Sequence, residues 1–427
     1  MSRSILFGIH SIFPPPHITN HNGQDPISEK KLKQLEGLWQ TKKEILGWDF
    51  DGKAYTIQLP PEKEQKLQNL INNTYRKKAV QLKSFQKLQG KLVHASMGMP
   101  NGRGLLAPIY KASKFEPPMV TITKDVKECL RDWKQMAKQL TTTPTSILRL
   151  VPDKPHYIGY VDASKEAVGG VWTNGIKQLP HQYVWRIKWP KDIQNNLVSR
   201  SNPKGTISIN DLEMAGVLLA WLILEKVTQA QLKHTHVGIF CDNAATVSWT
   251  TKHTTTTSTI ASHLLRALAI RQHIMQASPL LTTHIEGKQN NMADVASRSF
   301  SDEQFLTTNT SFIQTFNKIF PLQHNSWKEY TLSTKIFSRV TSCLRGQPLA
   351  MELWTRTTKK EKSTGTTGQS THQNATQTPT SHNAAKWNKS SSSSQPLLKG
   401  SGKATMAEEI LFLVLRKLNP VEKTLVK

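Results

Sequence analysis

An α/β fold is what this sequence predicts: a mixed five-stranded sheet with flanking helices over residues 156–300. Two observations carry that expectation. Short β-prone apolar runs alternate with runs of helical period along the stretch. The order then reads three strands, a long helix, a strand, two helical runs, a strand and a short helix, which is the order of a mixed sheet. The first three strands are HYIGYVDA, VGGVWTN and QYVWRIKW, parted by turn residues. INDLEMAGVLLAWLILEKV follows as a strong helix, with Asn210 expected at its N-cap. HVGIFCDN is the fourth strand, ATVSWTTK and SHLLRALAIRQHIM are helical, LLTTHIEG is the fifth strand, and NNMADVASR is a short closing helix.

The flanks read differently. Residues 1–61 are expected to hold a loop rich in Pro, His, Asn and Gly and then one β-hairpin. Its turn falls at Asp51-Gly52, between EILGWDF and KAYTIQLP. Residues 62–150 read as mainly helical. Leu67, Leu70 and Ile71 recur at helical spacing, as do Leu82, Phe85 and Leu88, and then Val126, Leu130 and Trp133. MPNGRG breaks the run and TTTPT ends it. Residues 301–355 read as a short helical extension. From 356 to 427 the composition shifts to Thr, Ser, Gln, Asn and Lys, which predicts a low-complexity disordered tail with one apolar patch, EEILFLVLRKL.

Composition narrows the partner. Lys and Arg number 56 against 30 Asp and Glu, a formal net charge of +26, which points to a polyanion and so to nucleic acid. Three widely spaced cysteines, Cys129, Cys241 and Cys343, make neither a zinc pattern nor a disulfide framework. No apolar run reaches the ~18 residues of a membrane span. MSRSILFGIHSIFPPP lacks a cleavage-site pattern. The expectation is an intracellular protein, cytoplasmic or nuclear, with no membrane partner.

Four carboxylates carry the chemistry. Asp162 closes the first strand and Asp242 the fourth, each followed by small or polar residues. Glu213 lies near the start of the long helix, and Asp294 lies in the closing helix. Strand ends of an α/β sheet are where ligand sites form. Four carboxylates without a basic partner repel one another, and divalent cations offset that repulsion by binding carboxylate oxygens. Each taken singly is a turn or cap carboxylate; the four in this order point to a metal site that holds two Mg²⁺ or Mn²⁺ ions. Asn243, His284 and Arg298 are polar neighbours, and for His284 a local hydrogen bond in its strand is the expectation. Lys77, Lys78, Lys83, Lys87 and Lys91 form a candidate nucleic-acid-binding face on the helical region.

The set VDAS, DLEMA, CDNAA and MADVASR resembles the Asp–Glu–Asp–Asp pattern of the ribonuclease H family. DPISEKKL, KEILGWDFDG, KLQGKLVHA and HIEGKQNNMADVASRSF resemble polyproteins of retrotransposons, DIRS-like and related, in which ribonuclease H follows the palm and thumb of a reverse transcriptase. The likeness spans about residues 10–300. It implies a ribonuclease H-like domain at 156–300, a palm-end hairpin before it and a thumb- or connection-like region at 62–150. It implies metal-dependent cleavage of RNA in an RNA–DNA hybrid, with Asp162, Glu213, Asp242 and Asp294 as catalytic metal ligands. Missing polymerase or recombinase parts of the polyprotein would be further partners. Two features depart from the pattern. GKQNN stands where many such enzymes carry a histidine, and no adjacent Asp-Asp pair exists for a polymerase site. The rival readings are a catalytically inert nucleic-acid-binding remnant and a transposase-like nuclease.

Overall fold

The computed structural model describes residues 40–151, 153–306, 310–347 and 349–355. Residues 1–39 and the tail from 356, for which loop and disorder were expected, lie outside the described residues.

The first strands form a meander rather than one hairpin. β1 (Lys42–Ile45) pairs antiparallel with β2 (Trp48–Asp51), β2 with β3 (Thr56–Gln58), and β3 with β6 (Thr145–Ser146). The tight turn is at Leu46-Gly47, where φ is 50° and 84°, the left-handed pair that a two-residue hairpin needs. Leucine rarely adopts that conformation, so the sequence carries no turn signal there. Asp51-Gly52 opens a longer loop instead. In it Asp51 Oδ1 accepts the N–H groups of Lys53 and Ala54 at 3.0 and 2.9 Å.

Next come α1 (Pro61–Tyr75), β4 (Ala79–Gln81), α2 (Leu82–Ser96), α3 (Ala107–Ser113), β5 (Met119–Thr121) and α4 (Lys124–Thr142). The expected helical period holds in α1, α2 and α4, whose inward rows include Leu67, Ile71, Phe85, Leu88, Leu130 and Trp133, all buried. The β4–β5 ribbon was not expected, since three residues per strand are too few to display alternation.

The main sheet comprises β7 (Tyr157–Ala163), β8 (Ala167–Asn174), β9 (Tyr183–Lys188), β10 (Val237–Cys241), β11 (Leu281–His284) and β12 (Lys328–Glu329). Its order is β11-β10-β7-β8-β9-β12. β7, β8 and β9 run antiparallel, while β10 is parallel to β7, β11 to β10 and β12 to β9. The sheet therefore has six strands, not the five expected. The sixth is a two-residue edge strand from the extension, again too short to read.

Alternation along β7 and β8 sorts the two faces. Val161, Val168 and Trp172 face the long helix α6 (Ile209–Val227), which follows the short α5 (Lys191–Asn195), and Trp172 Nε1 donates to the Ala220 carbonyl of α6 at 3.0 Å. A Cβ on Gly216 would stand 2.8 Å from Val161, so only glycine lets the helix lie this close to the sheet. α6 starts at a capping box made by Ser208 and Asp211, which corrects the expected Asn210 cap. The other face is covered by the closing helix α9 (Asn291–Arg298) and then by the extension. There Val171, Val184, Ala296, Phe312, Phe316 and Trp327 form one cluster, with Met292 and Val295 of α9 packed against it. Between α6 and α9 in sequence lie α7 (Ala244–Lys252) and α8 (Thr259–Ile274), each begun by a side-chain cap, Asn243 and Ser258. Among the described residues no helix is long and apolar enough to cross a membrane.

Candidate metal centre and nucleic-acid face

Asp162 leaves the sheet on the α9 face, and Glu213 reaches the same strand end from α6. Both are buried. Their juxtaposition shows at Ala163, one residue beyond Asp162, whose backbone eases the charge of the Glu213 carboxylate. Ser297, on the inward side of α9, donates to Asp162 Oδ2. That contact needs α9 to touch β8. A Cβ on Gly169, the cross-strand partner of Asp162, would stand 2.5 Å from the Ser297 nitrogen. Asn290, just before α9, is buried and donates to the Val161 carbonyl at 2.9 Å, which fixes the start of the helix.

Asp242 follows the last residue of β10, alongside β7. Single oxygen or sulfur atoms of Glu213, Cys241 and Asp242 all lie within 4.8 Å of one another. Asp294 sits in the first turn of α9 and is half exposed. The structure thus brings the four carboxylates from β7, α6, the end of β10 and α9 to one edge of the sheet, as the electrostatics register. Burial, above all, pushes Asp162 up from 3.8 to about 6, and the charges of Asp242 and Asp294 push the same way. Burial, then Asp162 and Asp242, raises Glu213 well above the usual carboxylate range.

One expectation is corrected. The cluster does have a basic partner, because Arg298 pairs with Asp294 one helical turn earlier. That spacing was legible, since residues four apart share a helix face. Arg298 is mostly exposed and answers Asp294 at the rim, leaving Asp162 and Glu213 without a cation in contact among the described residues. The other polar neighbours are structural. Asn243 caps α7 and donates to Asn210 Oδ1 at 2.7 Å. His284 does not bond within its own strand, as expected, but to the end of the neighbouring one, Nε2 donating to the Asp242 carbonyl at 3.1 Å. The sequence reading passed over Cys241 and Ser297. Cys241 is fully buried, its thiol 3.8 Å from Glu213 Oε2, and burial and that carboxylate hold it well above the usual thiol range. Its place directly before Asp242 was the available signal.

The oxygen donors fit hard divalent cations: two buried carboxylates raised by burial and mutual repulsion are the groups that a bound Mg²⁺ or Mn²⁺ would return to the ionised form. Beside the cluster an open groove is lined by Ala163, Ser164, Ile209 and Ser301, with Lys165 and Arg298 set against Glu166 and Asp302. Lys77, Lys78, Lys83, Lys87 and Lys91 lie apart from the carboxylates, on and before α2, and all are exposed.

No protein-family model matches this chain, and no curated protein matches it. Several solved structures resemble it weakly, three of them as follows. The foamy viral protease-reverse transcriptase dRH with double-stranded DNA is 12% identical over 58% of this chain and 38% of that one, with a TM-score of 0.23. The foamy viral protease-reverse transcriptase with double-stranded DNA is 11% identical over 58% and 46%, at 0.24. The complex of that enzyme with an RNA/DNA hybrid is 11% identical over 67% and 37%, at 0.25. The chain spans less than half the length of each of these proteins.

Proposed function

We propose that residues 156–300 form a ribonuclease H-like domain that hydrolyses the RNA strand of an RNA–DNA hybrid with Mg²⁺ or Mn²⁺. In this reading it is the ribonuclease H part of a retroelement reverse transcriptase, and the chain carries no polymerase site. One observation supports it most: Asp162, Glu213, Asp242 and Asp294, from four separate elements, converge at one sheet edge. Two buried carboxylates beside two partly exposed ones make a graded site. Asp162, held by Ser297, and Glu213 form a buried floor. Asp242 and Asp294 form the rim that a phosphodiester would meet. Bound divalent ions would supply charge neutralisation and an activated water. Lys165 and Arg298, which line the adjoining groove, would receive the phosphates flanking the scissile bond. The exposed lysines of the helical region would hold the nucleic acid further along its length. Selectivity for the RNA strand would rest on contacts to its 2′-hydroxyls.

The Arg298–Asp294 pair favours a second reading, an inert nucleic-acid-binding remnant in which Asp294 stays committed to arginine. A cleavage assay on hybrid, double-stranded RNA and double-stranded DNA, with and without Mg²⁺, separates the two. Cation-dependent cutting of hybrid alone supports the enzyme. Binding of hybrid without cutting, at any Mg²⁺ or Mn²⁺ concentration, leaves the remnant.

A further inference from the structure

From Gln65 to Phe115 the chain has no Asp or Glu, while Lys and Arg occur ten times. At the end of that stretch stands Phe115, 86% exposed, the most exposed of the large hydrophobic side chains described. A large ring left in water demands a reason, because its burial would be worth a few kcal/mol.

The loop that carries it is stiff. Glu116 has φ 46°, and Pro117 and Pro118 follow, so the backbone has little freedom to fold the ring inward. Both ends of the loop are tied to α2. Ser113 Oγ donates to Gln89 Oε1 at 3.0 Å, and the Leu82 N–H donates to the Pro118 carbonyl at 3.1 Å. Leu82 and Gln89 are seven residues apart, two helical turns, and so mark one line down α2 that faces the loop. Turning away from that line at 100° per residue, the surface passes exposed Gln86 and Gly90 and reaches Lys83 and Lys87. Nothing lies within 4 Å of where a Gly90 side chain would be. The helix surface at Gly90, between that line and the lysines, is therefore open. Lys114 Nζ lies over one face of the ring, 5.5 Å from the centroid. Met119, half exposed, continues the apolar side on the outer face of the β4–β5 ribbon.

We propose that Phe115 is a stacking platform for an unpaired base of a nucleic-acid strand whose phosphates run along Lys83 and Lys87. The charge selects a polyanion, and an aromatic face selects one that offers flat apolar rings. A fully paired duplex hides its base faces, so the occupant is a single-stranded segment, such as an overhang next to a hybrid. This deepens the proposed function by naming the form of nucleic acid on the helical region, but it does not depend on cleavage.

The test uses the full chain in EDTA, where nothing is cut, and fluorescence anisotropy with three labelled probes: a blunt hybrid, the same hybrid with a five-nucleotide overhang, and a single-stranded oligonucleotide. The overhang should tighten binding. Phe115→Ala should abolish that gain, a loss of about 5- to 100-fold for one stacked base, and leave the blunt hybrid unchanged. Phe115→Trp should keep or raise it. In the single-strand titration, Lys83→Ala with Lys87→Ala should flatten the salt dependence by about 1.4 in slope, whereas Phe115→Ala should not alter it. Equal overhang affinity in wild type and Phe115→Ala overturns the proposal, and the ring then serves some other partner. Failure of hybrid cleavage in Mg²⁺ with Phe115-dependent binding intact would count against the enzyme reading alone.

Discussion

Replacing Asp162 by Asn should stabilise the ion-free protein by an amount that grows with pH. Asp162 is buried, and its pKa rises on folding from 3.8 to about 6. The folded state therefore holds the proton more tightly than the unfolded chain does. For such a group the unfavourable term is absent below the unfolded value, grows between the two values and is complete above the folded one. Applied to these two values, the linkage relation puts the penalty at about 1 kcal/mol at pH 4.5 and about 3 kcal/mol at pH 7.5. Asparagine carries no charge, and its side-chain oxygen can still accept the Ser297 hydroxyl. The stability difference between Asp162→Asn and wild type should then widen by about 2 kcal/mol from pH 4.5 to 7.5. The Asp162 charge that helps to raise Glu213 is absent from the variant, which widens the difference in the same direction. The assay is urea unfolding in EDTA across that pH range. A second arm at pH 7.5 adds saturating Mg²⁺, which should stabilise wild type more than the variant and so shrink the difference. A difference that stays flat between pH 4.5 and 7.5 would refute the reasoning, because it would mean that Asp162 is no harder to ionise in the folded protein than in the unfolded one.

Other outcomes follow from the same geometry. Asp242→Asn should lose most of the hybrid-cleavage rate at unchanged circular dichroism; equal rates would rule out the two-metal assignment. Asp132→Ala should destabilise the protein by about 3–5 kcal/mol in urea unfolding, because it strands the buried Arg266 guanidinium, which Asp132 meets at 2.6 and 3.0 Å. Truncation after Thr355 should leave hybrid cleavage unchanged, as measured by initial rates on one labelled substrate.

Much of the sheet region was legible because its elements are long. β7, β8 and β9 show clear apolar runs, and α6 is apolar all round because it is buried between the sheet and other helices. The four carboxylates stood out because two of them close strands and two lie near the starts of helices, in a fixed order. What escaped the sequence was short or relational. β4, β5, β6 and β12 have two or three residues each, too few to show a period. The Leu46-Gly47 turn uses a residue that signals against it. The Asn210 cap was misplaced by two residues, because Ser208 and Asp211 satisfy each other only once the chain has turned. Cys241 and Ser297 gain meaning only from partners 28 and 135 residues away.

Polar residues inside helices posed the hardest problem. In α8, nothing in the sequence marks the polar Arg266, Arg271 and Gln272 as interior, yet all are buried. Each meets a partner from elsewhere in the chain. Arg266 pairs with Asp132 of α4 and donates to the Leu349 carbonyl at 2.7 Å. Arg271 pairs with Glu225 of α6, which also accepts Trp221 Nε1 at 2.7 Å. Asn101 donates to Gln272. A charge row on one helix cannot announce whether water or another helix will answer it. Here the answer has a functional side. α8 joins the lysine-bearing helical region to the sheet that carries the carboxylates, and it does so through fully enclosed ion pairs, which are costly to break singly. Slippage between the two would leave a guanidinium or a carboxylate buried without its partner. The lysine stripe of α2 and the Asp162 cluster are therefore held in one register, as an extended polyanion bound at both places would require.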